Sequence, residues 1–321
     1  MNIVVASDEK YVPHLETLLV SIGETNRAVD KIKIHIFDGG ISAKSKEMIQ
    51  SLKLKYQNMS FLFYEMTEEI ISNLLGGQIG KDRSLATYAR LFIPEIIMDE
   101  IAIYFDVDAI VLKDLREFYQ IDLTDFAIAG VRDTNPIVRH RNVGLDDKDT
   151  YINAGVILWN LDICRKIEFI KQCKDFIKAH NGNVDAMDQG TINGVLGKQG
   201  LIKVIHPKYN TFTSLFQLNR DSILKIYGLV DFYSNEEIKE AVANPVFVHF
   251  TPNMTTRPWV KHCKHPMKEE YWRFRSMTEF GEKKLELDNR SLKLRVLGWI
   301  YRSLPSSVYL KLIKFFRNRT W

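Results

Sequence analysis

Ile101-Ala102-Ile103-Tyr104-Phe105-Asp106-Val107-Asp108-Ala109-Ile110-Val111-Leu112 is an apolar run broken by two aspartates one residue apart. Its β-branched and aromatic content predicts one buried strand, long enough to cross a sheet. Side chains at i and i+2 of a strand leave the same face, so the two carboxylates would stand side by side. Like charges held away from bulk water repel and are costly to desolvate. A divalent cation is the simplest offset. Oxygen ligands suit Mg²⁺ or Mn²⁺, with substrate phosphates completing the shell. The alternative ends the strand near Phe105 and makes both aspartates solvated turn residues. The pattern is too short to choose between the two by itself.

The segments upstream supply context. Residues 2–6 read as a strand and Val12 to Glu24 as a helix, and Lys31 to Phe37 alternates polar and apolar as a strand does. Asp38-Gly39-Gly40 is a turn, and Ser42 to Lys55 reads as a helix with Ser42 as its N-cap. A strand over Ser60 to Tyr64, a helix over Thr67 to Leu75 and a helix over Leu85 to Ile93 lead to the aspartate run. Such alternation predicts an α/β fold with a mainly parallel sheet flanked by helices and ligands at the strands' carboxyl ends. Downstream, Phe126 to Val131, Ala154 to Leu161 and Val246 to Phe250 read as strands, and Ile167 to His180 as a helix.

The 321 residues are 45% hydrophobic and 26% charged, the composition of a globular protein with a full core. No signal peptide is visible after Met1, and no apolar stretch reaches the roughly 18–20 residues of a membrane span. Cys164, Cys173 and Cys263 have neither metal-ligand nor disulfide-framework spacing, so a reducing cytosol is expected. The net charge of +4 is uneven. Eight basic residues and no acid follow Asp288, leaving about −4 on residues 1–288.

Several polar residues stand where chemistry is done, and each has a structural alternative. After Ala6, Asp8 could accept a hydrogen bond from a base and Tyr11 could stack on it, or Asp8 could cap a helix. Arg90 lies among apolar neighbours and should pair with a carboxylate, either a structural acid or one in a site. Asn153-Ala154-Gly155 opens a strand whose glycine permits close approach. Asp188-Gln189 could read sugar hydroxyls, or Asp188 could cap a helix. His249 could be a third metal ligand or a structural residue, and Arg257 could clamp a diphosphate. His262-Cys263-Lys264-His265 lacks a second ligand pair, which argues against zinc.

In this order the motifs resemble glycosyltransferase family 8, of the bacterial lipooligosaccharide α-galactosyl- or α-glucosyltransferase type, with glycogenin more distant. The resemblance spans roughly residues 1–272. It is carried by Ile3-Val4-Val5-Ala6-Ser7-Asp8, Ala86-Thr87-Tyr88-Ala89-Arg90-Leu91, Tyr104-Phe105-Asp106-Val107-Asp108, Tyr151-Ile152-Asn153-Ala154-Gly155-Val156, Met187-Asp188-Gln189 and His249 through Trp259. It implies a GT-A, Rossmann-like fold with a mixed, mainly parallel sheet. Asp106, Asp108 and His249 would hold Mn²⁺ (or Mg²⁺) on the diphosphate of a UDP-sugar. Ala6, Asp8 and Tyr11 would meet the nucleoside, with Val107 and Ala154 also lining the donor site. Arg90, Asn153, Asp188 and Gln189 would contact the transferred hexose, Gln189 beneath its anomeric carbon. Asp133 would contact donor or acceptor. Two departures stand out: the family glycine between His249 and Pro258 has no clear counterpart, and the family lysine before Pro-Trp is Arg257.

The resemblance implies a retaining transfer of galactose or glucose from a UDP-sugar to a saccharide or glycolipid acceptor, as in lipopolysaccharide or other cell-surface polysaccharide synthesis. A nucleotide-sugar hydrolase or nucleotidyltransferase could use the same aspartates, and a non-catalytic UDP-sugar-binding partner is a third possibility. Residues 1–282 form the expected catalytic domain. Residues 283–321 form a basic amphipathic, short-helical tail that mixes Leu, Ile, Val, Trp, Tyr and Phe with unopposed Lys and Arg. Such a tail is expected on an anionic membrane surface rather than on nucleic acid, placing the protein on the inner face of the cytoplasmic membrane.

Overall fold

The computed structural model describes residues 1–77, 85–252, 255–282, 285–292, 295–296 and 299, without the side chains of 85 and 86. Ten strands fall into two sheets. The strands are β1 (Asn2–Ser7), β2 (Ile32–Asp38), β3 (Met59–Glu65), β4 (Ile101–Phe105), β5 (Ala109–Val111), β6 (Ile128–Arg132), β7 (Ile152–Asn160), β8 (Ile202–Val204), β9 (Thr211–Phe212) and β10 (Phe247–His249). The larger sheet runs β3-β2-β1-β4-β7-β6-β8, and the smaller one β5-β10-β9. Strands β3, β2, β1 and β4 are mutually parallel, and β7 runs antiparallel to both β4 and β6. The mixed, mainly parallel sheet flanked by helices is the architecture expected from the strand–helix alternation.

Helices cover both faces of the large sheet, and the strand residues show why. Ile3 and Val5 enter one apolar core with Ile103, Phe105, Val156 and Leu158. Val4 enters the other with Ala102, Tyr104, Ile157 and Trp159. A strand buried on both faces cannot alternate with polar residues, so these segments read as continuous apolar runs. The helix Val12–Thr25 follows β1, and Ala43–Ser51 follows β2 with Ser42 accepting at its N-cap from the Ser45 N–H at 3.2 Å.

Two expectations need correction. The single strand over 101–112 is two strands in two sheets. The β4 ladder closes at Phe105, Asp106 N donates to Gly155 O at 2.8 Å, and the chain bends so that β5 pairs antiparallel with β10. A continuous strand would have pushed both carboxylates into the apolar layer beneath the sheet. The bend instead delivers them to the strand's carboxyl end. The strand does end at Phe105, as the alternative had it, but the aspartates are not solvated turn residues: Asp108 is only 7% exposed, and the Asp106 side chain, 25% exposed, is paired with Arg90. Second, Leu85–Phe92 is 3₁₀ in geometry and only Ile93–Ile96 is α-helical. The helix expected over 167–180 is observed as Phe169–Ala179; a separate short helix, Leu161–Lys166, precedes it, with Glu168 left-handed between them. Most of the tail over 283–321 lies outside the described residues. Among the described residues no helix is long and apolar enough to cross a membrane.

Candidate active site

The bend between the sheets and the end of β10 face each other, because β5 and β10 pair in a register that sets Ala109 opposite His249. Asp106, Asp108 and His249 thereby converge, each offering a ligand atom within 4.8 Å of the others. His249 Nε2 donates to Asp108 Oδ1 at 3.1 Å and lies 3.7 Å from Asp106 Oδ2. Burial disfavours the charged imidazolium, but the Asp108 and Asp106 carboxylates outweigh it and raise the His249 pKa. Burial likewise works against the Asp108 anion, yet Arg257 and His249 hold its pKa well below the usual carboxylate range. Arg257 donates twice to Asp108 Oδ2, from Nε at 3.0 Å and Nη2 at 2.6 Å.

This donor set fits a divalent cation. Two carboxylates and an imidazole suit Mn²⁺ or Mg²⁺ chemistry. The Arg257 guanidinium and the His249 imidazole already gather at Asp108, so the draw of this carboxylate on positive charge is visible in the structure itself. His249 Nδ1 is buried and makes no hydrogen bond. Its ring is set by Gly155, where a Cβ would stand 2.1 Å from His249 Cε1 and 2.5 Å from Nδ1. The close approach expected of Gly155 is therefore the approach of this imidazole.

Behind the cluster stands Arg90, 7% exposed. Its Nη2 lies 2.9 Å from Asp106 Oδ1, its Nε 2.7 Å from Asp188 Oδ2, and its Nη1 donates to Ala154 O at 2.6 Å. The guanidinium packs over the Tyr104 ring at 4.5 Å, and the Tyr104 hydroxyl donates to Asp106 Oδ1 at 2.9 Å. Burial raises the Asp188 pKa; Arg90 opposes that shift and Asp106 adds to it. The carboxylate partner predicted for Arg90 is thus a pair of them. Asp188 does not cap its helix, Met187–Gly197, whose N-cap is Ala186 without a side-chain bond. Ala186 and Met187 take consecutive left-handed conformations (φ 58° and 52°). Such backbone is costly for residues with a Cβ and clusters at functional sites, and here it precedes Asp188 and Gln189 directly.

A second group of polar side chains is linked to the first through Ala154. Gln189 Oε1 accepts from Ala154 N at 2.9 Å, and its Nε2 donates to Asp133 Oδ2 at 2.7 Å. Asp133 also accepts from Thr134 N and Asn135 Nδ2, both at 2.8 Å, and burial raises its pKa. Asn153 Oδ1 accepts from Gly155 N at 3.0 Å and from Asn210 Nδ2 at 2.8 Å. Asp8 caps the turn Glu9–Tyr11, its Oδ1 accepting from Tyr11 N at 3.0 Å. Tyr11 is close enough to Arg257 to act on its charge. Ala6, next to last in β1, is half-buried, and Val107 sits buried between the two aspartates.

Sequence reasoning missed Tyr104, Tyr151 and Asn210. Tyr104 carried a signal, since it stands two residues before Asp106 in a run that reads as a strand. Asn210 carried none, because its partner Asn153 is 57 residues away.

A family model described as "Glycosyl transferase family 8" matches residues 2–263. General stress protein A of Bacillus subtilis is 27% identical over 287 residues, which are 88% of this chain and 95% of that protein. Glycosyltransferase GlyB of Streptococcus pneumoniae is 25% identical over 287 residues, 89% of this chain but only 64% of GlyB. Among solved structures, the galactosyltransferase LgtC in complex with donor and acceptor sugar analogs superposes with a TM-score of 0.70. That likeness covers 87% of this chain and 96% of LgtC at 21% identity, and it shows a shared GT-A fold.

Proposed function

The chain belongs to glycosyl transferase family 8, and from that membership we propose that it moves a hexose from a UDP-sugar to a saccharide hydroxyl with retention of configuration. The observation that carries this reading is the convergence of Asp106, Asp108 and His249 within 4.8 Å. Those three would hold Mn²⁺ or Mg²⁺. When bound, the cation supplies Lewis-acid stabilisation of the charge that grows on the leaving diphosphate. Arg257 adds a planar, always-charged fork on the same side. Ala6, Asp8 and Tyr11 would take the nucleoside, with Val107 and Ala154 lining the donor site. Arg90, Asn153, Asp188 and Gln189 would take the hexose.

The site's residues favour a front-face attack, in which the acceptor enters on the side that UDP leaves. A double displacement needs a free carboxylate below the anomeric carbon. At Gln189 there is an amide instead, and both of its ends are held, by Ala154 N and Asp133. Asp188 is held by Arg90. The anionic Asp188 would also favour an oxocarbenium-like transition state. The test is a screen of UDP release across UDP-hexoses with Mn²⁺, with and without EDTA, followed by the anomeric configuration of the product. UDP release by at least one UDP-hexose, abolished by EDTA, is expected. An inverted product, or full turnover in EDTA, would defeat the retaining or the metal assignment respectively.

The basic segment 283–321 is proposed as a contact to an anionic membrane surface, with 1–282 as the catalytic domain; the acceptor would then be a glycolipid or lipid-linked saccharide at the inner face of the membrane. Support comes from its first described residues: Leu287, Leu292 and Trp299 are 72%, 73% and 62% exposed, beside Arg290 and Arg295. Apolar burial and basic attraction would add there. Sedimentation with phosphatidylglycerol vesicles should fall to background when residues after 288 are deleted. Equal binding by the truncated chain would refute the contact.

A further inference from the structure

The helix that follows β1, Val12–Thr25, buries a histidine in its first turn. His14 is 4% exposed, and its ring lies against that of Trp259, with centroids 3.8 Å apart and planes 29° from parallel. Its Nδ1 lies 2.7 Å from the Tyr271 hydroxyl. Arg275 Nη1 donates to that hydroxyl at 3.1 Å and stands 3.5 Å from the same ring nitrogen. A guanidinium has only donors, so Nδ1 is the acceptor and the proton of the neutral ring sits on Nε2. Burial, reinforced by Arg275, lowers the His14 pKa to about 3, which keeps the ring uncharged. Tyr271 and Arg275 belong to the helix Lys268–Arg275, which packs on Val12–Thr25. The imidazole is therefore held in place from a second helix.

Two residues of the proposed donor site touch this ring system. Tyr11 meets His14 edge-on, with centroids 5.5 Å apart and planes 62° apart. Arg257 stands over the Trp259 ring, its guanidinium carbon 5.7 Å from the centroid, while its fork reaches Asp108. An arginine side chain carries about 2 kcal/mol of rotamer entropy, and Asp108 is an anchor that a bound cation would share. A cation–π contact within about 6 Å is the other support at hand, and it holds the fork only where the indole itself is fixed. Trp259 is 4% exposed, Tyr271 packs 5.2 Å from it, and Trp272 Nε1 donates to Pro258 O at 3.1 Å, pinning the chain beside it. Of the ring contacts to Trp259 among the described residues, that with His14 is the shortest.

We propose that His14 is a positioning residue for nucleoside-diphosphate binding: its ring fixes Trp259, and Trp259 holds the Arg257 fork where a diphosphate would meet it. The inference rests on the UDP-sugar reading above. Two variants of the full chain divide the roles of His14. His14→Asn keeps an acceptor near Tyr271 and removes the ring, whereas His14→Phe keeps a ring and removes the acceptor. The Kd for UDP with Mn²⁺ is measured by calorimetry in each, alone and combined with Arg257→Ala. His14→Asn should weaken UDP about ten-fold and His14→Phe by no more than about three-fold. Beside Arg257→Ala, His14→Asn should add less than about two-fold, because the residue it acts through is gone. A merely structural role would make the two losses multiply, and that result overturns the proposal. Unaltered UDP affinity in His14→Asn, or an equal loss in His14→Phe, also overturns it. Should His14→Asn not fold, Trp259→Phe tests the same link from its other end: a loss of about three-fold or more that vanishes beside Arg257→Ala is expected, and no loss overturns the link. Urea unfolding of the same cycle needs no ligand, and there the two folding losses should miss multiplying by about two-fold or more. That coupling in a parent that binds no UDP refutes the donor reading and leaves the link from His14 to Arg257 standing. No coupling in either measurement refutes the link, and UDP binding by the parent then keeps the donor reading.

Discussion

An Asp108→Asn protein should fold, lose Mn²⁺ affinity and transfer hexose about a thousand-fold more slowly or worse, a loss of about 4 kcal/mol in transition-state stabilisation. Asparagine keeps the shape of aspartate but removes the charge and one ligand oxygen's basicity. Three groups converge on that carboxylate: His249 Nε2 at 3.1 Å and Arg257 through both Nε and Nη2. Removing one partner of a buried ion pair costs about 3–5 kcal/mol when the other charge is left stranded. Neither partner is fully stranded here. The Arg257 side chain is 27% exposed and can turn to water. His249 can release its proton, because Asp108 is a principal cause of its raised pKa. The stability loss should therefore fall below that range, near 1–3 kcal/mol. Urea unfolding, Mn²⁺ titration and the transfer rate measured on one preparation separate these effects. A variant with full metal-dependent transfer would remove Asp108 from the metal site.

Much of this arrangement was legible in the sequence because it is local. The aspartate pair, the Ser42 cap and the continuous apolar strands each follow from a few adjacent residues, and the strand–helix alternation follows from their order. The bend between β4 and β5 was not legible. Its two strands, Ile101–Phe105 and Ala109–Val111, have the same composition, and only pairing with β10 some 140 residues away separates them. The same limit hid the partners of Arg90. An arginine in an apolar run announces a carboxylate, but which one depends on where the chain returns. The two alternatives for Asp8 divide differently: it does cap a turn, as its local sequence suggests, while a role at a nucleoside base needs a ligand to be tested. The surroundings of Asp133 were legible only in part: Tyr151 opens a motif of the sequence, whereas His140 and Asp231 come near it only through the fold.

Arg90 is where fold and site are hardest to separate, and an Arg90→Ala protein should pay in both. Nη2, Nε and Nη1 lie within 2.9 Å of Asp106, Asp188 and the Ala154 carbonyl respectively, while the Nε N–H donates to Thr87 O at 3.3 Å. Alanine would leave Asp188, 4% exposed, without its cation and with Asp106 still nearby. Breaking such a pair costs about 3–5 kcal/mol, part of which Asp188 can recover by taking up a proton, since burial already raises its pKa. That proton would neutralise the negative charge proposed to face the anomeric carbon, so transfer should fall at least about a hundred-fold even where the variant stays folded. Lysine separates the two roles. It restores one positive charge and should recover most of the stability, but a single ammonium cannot reach three acceptors lying in three directions. Arg90→Lys should therefore unfold close to the parent in urea while transferring at least about ten-fold more slowly. If Arg90 served only to brace a bound hexose, Arg90→Ala would unfold within about 1 kcal/mol of the parent, below the cost of a broken buried pair. That result would dismiss the ion-pair role and leave the sugar contact standing.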